Sequence, residues 1–293
     1  MRPGNAGSNT ASDHIEVLDR AIAQVPAAHR RRLLITVDGA GASHALVNHL
    51  AALGTRPGHQ VIYSVGFDLD ERARTAVAAM PAAGWDTAID ADGHPRIGPA
   101  DDGGDEVKAQ VAEITGLLRH SAGGDRFAGW PTDLRFFARR EKPHPGAQLS
   151  LFEQHEGWRH QIIATNLPAN TAGWRGQPAY IDASHRAQAR VEDRIRCAKA
   201  TGMRRMASRD YQINTAWCTT VSIGCDLLAW LRLLALDGHL AKAEPKTLRY
   251  RLLHVPARLI RGGRKRRIRI PETWPWANDL HNAFSRILAL PPP

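Results

Sequence analysis

Two short, continuous apolar runs stand out near the start of the chain. Residues 33–37 read Leu-Leu-Ile-Thr-Val, and residues 60–65 read Gln-Val-Ile-Tyr-Ser-Val. Runs of this length and composition fit strands buried on both faces, as in a helix-flanked parallel sheet. The first ends on Asp38 and leads through Gly39-Ala-Gly41-Ala-Ser43 into a predicted helix over residues 44–53; a further helix is predicted over 71–80. Strand, glycine turn, helix, strand and helix make an α/β unit. Ahead of it, Asp13 can cap a helix over 13–25, with Ile15, Leu18 and Ile22 on one face and Pro26 as its stop.

The pattern changes from residue 84 to 180. Gly/Asp-rich turns at 90–93 and 101–104 flank short alternating runs at 134–139 and 160–165, with one helical stretch over 106–118, and the whole reads as a β-rich insertion. The acidic turn of Asp101, Asp102, Asp105 and Glu106 reads as a solvated helix start. Further on, 183–201 reads as one long helix, 214–236 as a very apolar, buried helix, and 277–288 as an amphipathic one. The expected division is a loop over 1–12, a partial core over 13–81, the insertion over 82–180, and a helical, basic region over 181–293.

Composition sharpens this outline. At 293 residues with 43% hydrophobic content, the chain can bury a sizeable core, which excludes a disulfide-stapled miniprotein and a disordered tail. The net charge of +10 is unevenly placed: residues 182–293 carry 21 Lys and Arg against 9 Asp and Glu, and the rest is slightly acidic. Such segregation points to a polyanionic partner for the C-terminal third. Cys197, Cys218 and Cys225 have no Cys-x-x-Cys pairing, so neither a zinc cluster nor a disulfide framework is indicated. Asp226 and Arg232 interrupt the apolar stretch at 215–236, so a soluble protein without a membrane span is expected.

Asp38 is the first candidate for chemistry, because open α/β sheets place ligands at the carboxyl ends of their strands; the alternative is that it caps the following turn. The Gly39-x-Gly41 turn matches a nucleotide or S-adenosylmethionine site weakly, since His44 stands where a third glycine would fall. In the predicted helix 183–201, His185, Gln188, Glu192 and Lys199 share one face, with Arg196 on the same side. A carboxylate among cations suits a metal beside phosphates; an exposed helix laced with ion pairs is the alternative. His155 and His160 are spaced five apart, which fails the zinc-protease pattern. Arg258, Arg261 and the run Arg264, Lys265, Arg266, Arg267 and Arg269 form a basic strip. As a strand it would put Ile268 and Ile270 on one face and Arg267 and Arg269 on the other, suited to a DNA backbone or to solvent. Trp274 and Trp276 are expected in a core, with a stacking platform as the alternative.

Several of these blocks occur together in a known order. The opening Arg-Pro-Gly-Asn-Ala-Gly-Ser-Asn-Thr, the strand-end Asp38, the segment Ala-Arg-Val-Glu-Asp-Arg-Ile-Arg-Cys-Ala-Lys-Ala-Thr-Gly at 189–202, and residues 227–255 resemble bacterial insertion-sequence transposases of the DDE type, in the branch numbered thirteen-eighty. The resemblance covers nearly the whole chain. It implies an RNase H-like core with a β-rich insertion, and a metal site for Mg²⁺ or Mn²⁺ in which Asp38 matches the second acid and Glu192 the third. It also implies DNA as partner, at the insertion sequence's terminal repeats, with Lys199 matching a signature lysine. A cytoplasmic, nucleoid-associated place and self-association are compatible with it. His185 and Gln188 stand where the broader signature has tyrosine and arginine. The family's first acid lies upstream of the Arg-Pro-Gly-Asn block, which here begins at residue 2. The resemblance therefore implies an N-terminally truncated chain, with the first strands missing, an exposed sheet edge and little activity alone. A non-catalytic DNA-binding regulator and, less well supported, a methyltransferase are the other readings.

Overall fold

Both apolar runs become strands, but the first is not buried on both faces: it lies at the sheet edge, none of its residues is buried and Leu34 is 65% exposed. The computed structural model describes residues 10–99, 106–120, 127–171 and 176–291; the opening block at 2–9 and Asp101, Asp102 and Asp105 of the acidic turn lie outside them. The chain divides into two compact units, Arg2–Ala189 and Arg190–Pro293.

In the first unit, α1 (Ala11–Gln24) precedes β1 (Arg32–Val37), α2 (His44–Gly54), β2 (Gln60–Phe67) and α3 (Glu71–Ala78). The cap of α1 differs from the expectation: Thr10 holds the N-cap position and its hydroxyl bonds to Asp13, which sits in the first turn. Ser43 caps α2 and Asp70 caps α3, each accepting a hydrogen bond from a backbone N–H of the first turn. β1 and β2 pair in parallel, Thr36 opposite Ser64 and Val37 opposite Val65. The remaining strands are β3 (Asp86–Thr87), β4 (Gln110–Glu113), β5 (Arg135–Glu141) and β6 (Arg159–Thr165), with α4 (Thr115–Arg119), α5 (Leu151–Glu156) and α6 (Pro178–Arg186) between or after them.

These strands extend the same sheet, in the order β1-β2-β6-β5-β4-β3, with every pair after β1-β2 antiparallel. The segment expected as a helix over 106–118 is β4 followed by the short α4. Val111 and Ala112 of β4 are buried on opposite faces of the sheet, so its apolar residues serve two layers at once. The same holds for Phe136 and Phe137 of β5 and for Ile162 and Ile163 of β6. One face packs on Leu46, Val47 and Leu50 of α2 and on the rings of Phe67, Phe127 and Phe136; the other packs on Ile181 of α6. Where β6 ends, the Asn166 amide replaces a further ladder pair. It donates to the Val61 carbonyl at 2.9 Å and accepts from the Tyr63 N–H at 2.8 Å.

Charges are buried on the α6 face. Arg139, 8% exposed, meets Asp182 of α6 at 3.2 Å and also pairs with Glu141. Arg186 joins Asp182 at 2.8 Å, and Arg96 joins Glu141 at 3.1 Å. Burial pushes the Asp182 carboxyl up, against the pull of Arg139 and Arg186; at Glu141 the pull of Arg139 and Arg96 overcomes burial, and the carboxyl titrates low.

The second unit begins along α7 (Ala189–Ala198), which continues through a π-form segment, Lys199–Met203. It also holds α8 (Tyr211–Trp230) with a π-form extension Leu231–Ala235, α9 (Gly238–Ala241), α10 (Pro245–Leu248), β7 (Arg258–Gly262), β8 (Lys265–Arg269) and α11 (Ala277–Leu288). The helix expected to be buried is largely exposed: within α8 only Asn214 and Val221 are buried. Its length and composition would suffice to cross a membrane. The apolar packing of this unit gathers beyond it, on Ala235, Leu236, Leu240, Leu248, Leu252 and Ala283. The hydroxyls of Thr215, Thr219, Thr220 and Ser222 bond back to carbonyls four residues earlier, so α8 satisfies its polar side chains internally. Trp276, half-buried, packs on this cluster; Trp274, also half-buried, lies outside it and donates its ring N–H to the Arg251 carbonyl.

Removing one member of a buried ion pair strands its partner's charge. Arg139→Met leaves Asp182 with Arg186 and Glu141 with Arg96, so it is expected to cost about 1–3 kcal/mol, less than a fully stranded charge, read from urea unfolding, whereas Arg20→Met, in an exposed pair with Glu16, should change stability by less than about 1 kcal/mol. A cost for Arg139→Met no larger than for Arg20→Met would contradict the account.

Candidate functional site

Asp38 sits immediately after β1, in extended backbone geometry, at the start of a short 3-10 turn, Gly39–Gly41. Its side chain makes no capping hydrogen bond, so the structural use expected of a strand-end acid is not the one it serves. The carboxylate is exposed, and no hydrogen bond or ion pair among the described residues engages it. Strand alternation carries Thr36 and Asp38 to the same face as Ser64, the face that α6 covers.

Close backbone approach sets the position of the turn. A Cβ on Gly66 of β2 would fall 2.9 Å from the Gly39 nitrogen, and one on Gly41 would fall 2.1 Å from Val37 Cγ1. The glycines of the Gly39-x-Gly41 turn and of β2 thus let the loop carrying Asp38 fold tightly over the strand ends.

Beside Asp38, His185 of α6 is buried, and its Nδ1 lies 3.0 Å from Ser64 Oγ. Burial first, then the positive charges of Arg139 and Arg186, push its pKa down to about 4, with Asp38 opposing. His185 is therefore a neutral ring wedged between α6 and the sheet, not a residue on an open helical stripe.

The predicted stripe of His185, Gln188, Glu192 and Lys199 does not lie on one helix. α6 ends at Arg186 and α7 begins at Ala189, with Gln188 in the turn between. That turn is closed by tighter bonds, from Ala187 N–H to the Ser184 carbonyl and from Gln188 N–H to the His185 carbonyl. Arg186 is held there by Asp182 and by the Ile89 carbonyl.

In the second unit, Glu192 projects from the first turn of α7 and is exposed, with no hydrogen bond or ion pair among the described residues. Its neighbour Asp193 is occupied by Arg196 at 2.6 Å, which lowers its pKa. Arg196 also pairs with Glu244, so two carboxylates already compensate its charge. Lys199, seven residues after Glu192, is exposed where the π-form segment begins. Among the described residues no group of three or more His, Cys, Asp and Glu side chains is gathered as a metal site. The donor chemistry of Asp38 and Glu192, two unengaged carboxylates, is that of ligands for a hard divalent cation.

The basic strip forms an antiparallel hairpin, β7 against β8, and every residue of both strands is exposed. Arg258 faces Arg269 and Arg261 faces Arg266. Like charges directly opposite each other destabilise a ladder. Sequence pattern located the strip and its alternation; the cross-strand pairing of like charges was hidden in it, because register depends on the turn.

The family model of transposase DDE domain group 1 matches residues 1–292 of the chain. No curated protein matches it.

His185 gives the first unit a pH response. The folded state holds the ring neutral down to about 4, while an unfolded histidine protonates near ~6.5. Its contribution to stability is thus complete above the unfolded value and is lost as pH falls from there towards the folded one, by up to about 3 kcal/mol. Urea melts between these pH values should reveal the slope, and His185→Gln should flatten it. An unchanged slope in that variant would refute the assignment.

Proposed function

Because the chain belongs to the transposase DDE domain group 1 family, we propose that it serves metal-dependent cleavage and transfer of DNA strands at insertion-sequence ends. The observation that carries this reading is the exposed, unengaged carboxylate of Asp38 at the end of β1, the edge strand of the sheet, above the close approaches at Gly41 and Gly66. In this reading the first unit belongs to an RNase H-like core, and Asp38 there and Glu192 on α7 match the family's second and third acids, which would serve as ligands for Mg²⁺ or Mn²⁺. The metal, when bound, activates a water or 3′-hydroxyl and stabilises the leaving oxygen.

The chain's own side chains divide the remaining work. Asp38 and Glu192 supply hard anionic oxygens. Ser64 and neutral His185 pack α6 against the strand that flanks Asp38. Lys199, Arg264, Lys265, Arg266, Arg267 and Arg269 offer uncompensated positive charge to phosphates, whereas Arg196 contributes less because Asp193 and Glu244 neutralise it. DNA at the terminal repeats is the partner, in the nucleoid of the cytoplasm, and self-association is compatible with this work. Asp13 and Asp19 lie on α1, not at a strand end. The fully exposed basic hairpin favours one second reading, a non-catalytic DNA-binding regulator of the element's ends.

A cleavage assay on terminal-repeat duplex with Mg²⁺ or Mn²⁺ tests the carboxylates. Cleavage by the chain should fall by about 100-fold or more in Asp38→Ala and in Glu192→Ala. Cleavage that persists in either variant overturns the assignment, and metal-independent cleavage overturns the mechanism.

A further inference from the structure

The hairpin of β7 and β8 is built against its own stability. Two pairs of arginines oppose each other across the ladder, and all ten strand residues are exposed. No third strand joins it among the described residues. The turn adds a second anomaly. Gly263 and Arg264 both have positive φ, 54° and 61°, and Arg264 is the single non-glycine residue with positive φ among those described. A two-residue turn of this kind favours Gly, Asn or Asp at both places. An arginine there is strained, and it places a guanidinium at the tip of the hairpin.

Register then sorts the side chains. Arg258, Ile260, Lys265, Arg267 and Arg269 share one face; Leu259, Arg261, Arg266 and Ile268 share the other. The first face carries four cations, three of them on β8 at intervals of about 6.8 Å. The second carries two, next to the tip, and an apolar pair, Leu259 and Ile268, nearer the base. A polyanion on the first face would offset the repulsion between Arg258 and Arg269 there, and could meet the guanidinium that the strained tip presents.

We propose that this hairpin docks as a two-stranded ribbon in the major groove of duplex DNA, its Arg258, Lys265, Arg267 and Arg269 face turned to the DNA and Arg264 leading at the tip. The proposal rests on the reading of the chain as a DNA-acting protein. A major groove about 12 Å wide admits a two-stranded ribbon in undistorted duplex, whereas a minor groove of about 6 Å must first be widened at an energetic cost.

The test uses the full chain and a short mixed-sequence duplex over a series of salt concentrations. Neutralising the first face (Lys265→Gln, Arg267→Gln, Arg269→Gln) should weaken binding at least about tenfold and lower the salt slope by about 2.7. Neutralising Arg261 on the second face (Arg261→Gln) should change affinity by less than about threefold. Arg264→Gly should slow hydrogen exchange in the hairpin, because strain is relieved, yet weaken binding by about threefold or more. Dimethyl sulfate should find guanine N7 protected and adenine N3 reactive. Equal losses from the two faces, adenine N3 protection, or an Arg264→Gly variant that binds normally would each overturn the proposal while leaving DNA binding intact. Failure of the unmodified chain to bind the duplex would overturn the functional reading as well.

Discussion

The first unit depends on a buried salt bridge. Arg139 reaches from the middle of the sheet to Asp182 on α6, and both are nearly sealed from water. Two desolvated charges are tolerated only while they stay together, so α6 has one seat on the sheet. Arg139 meets its carboxylates with Nε and Nη1 in ion-pair geometry, without well-aligned hydrogen bonds from those two atoms. The pairing therefore fixes position more than it adds strength. His185 sits one turn along α6 from Asp182, and its contact with Ser64 follows from that seat. The surroundings of Asp38 are thus a downstream result of an ion pair on the far side of the sheet's centre.

The fold was legible wherever local pattern decides. The apolar runs became β1 and β2 within a residue or two, the runs at 134–139 and 160–165 became β5 and β6, and residues 277–288 became α11 with the expected bounds. The segment over 106–118 misled because Val107, Val111, Ile114 and Leu118 recur at helical spacing, while their burial follows two sheet faces. The break after Arg186 could not be read at all, since Ala187, Gln188 and Ala189 are ordinary helix formers and the turn is imposed by what holds Arg186. For α8, composition suggested burial, but composition says nothing of where a unit's packing partners lie. At the site, Asp38 and Glu192 were visible from strand-end position and motif. The coupling of His185 to Ser64 spans 121 residues and leaves no local trace.

Charge in the C-terminal unit has two fates. Arg196 is balanced by Asp193 and Glu244, Arg232 donates to the Ala243 carbonyl, and Arg286 pairs with Asp237. These cations hold structure together. Those of the hairpin meet one another instead. The net charge of the chain therefore overstates how many cations could meet a polyanion and understates how concentrated the uncompensated ones are.

The amide of Asn166 ties the end of β6 to Val61 and Tyr63, across more than a hundred residues of chain. During synthesis, β1, α2 and β2 leave the ribosome long before their second neighbour exists. At ordinary translation speeds that interval lasts about 5–20 s. Throughout it, the edge of β2 that later receives β6 stands bare, carrying some of the most apolar residues of the sheet. The folding of this protein is thus a race between the growing chain and any other strand that could claim that edge first.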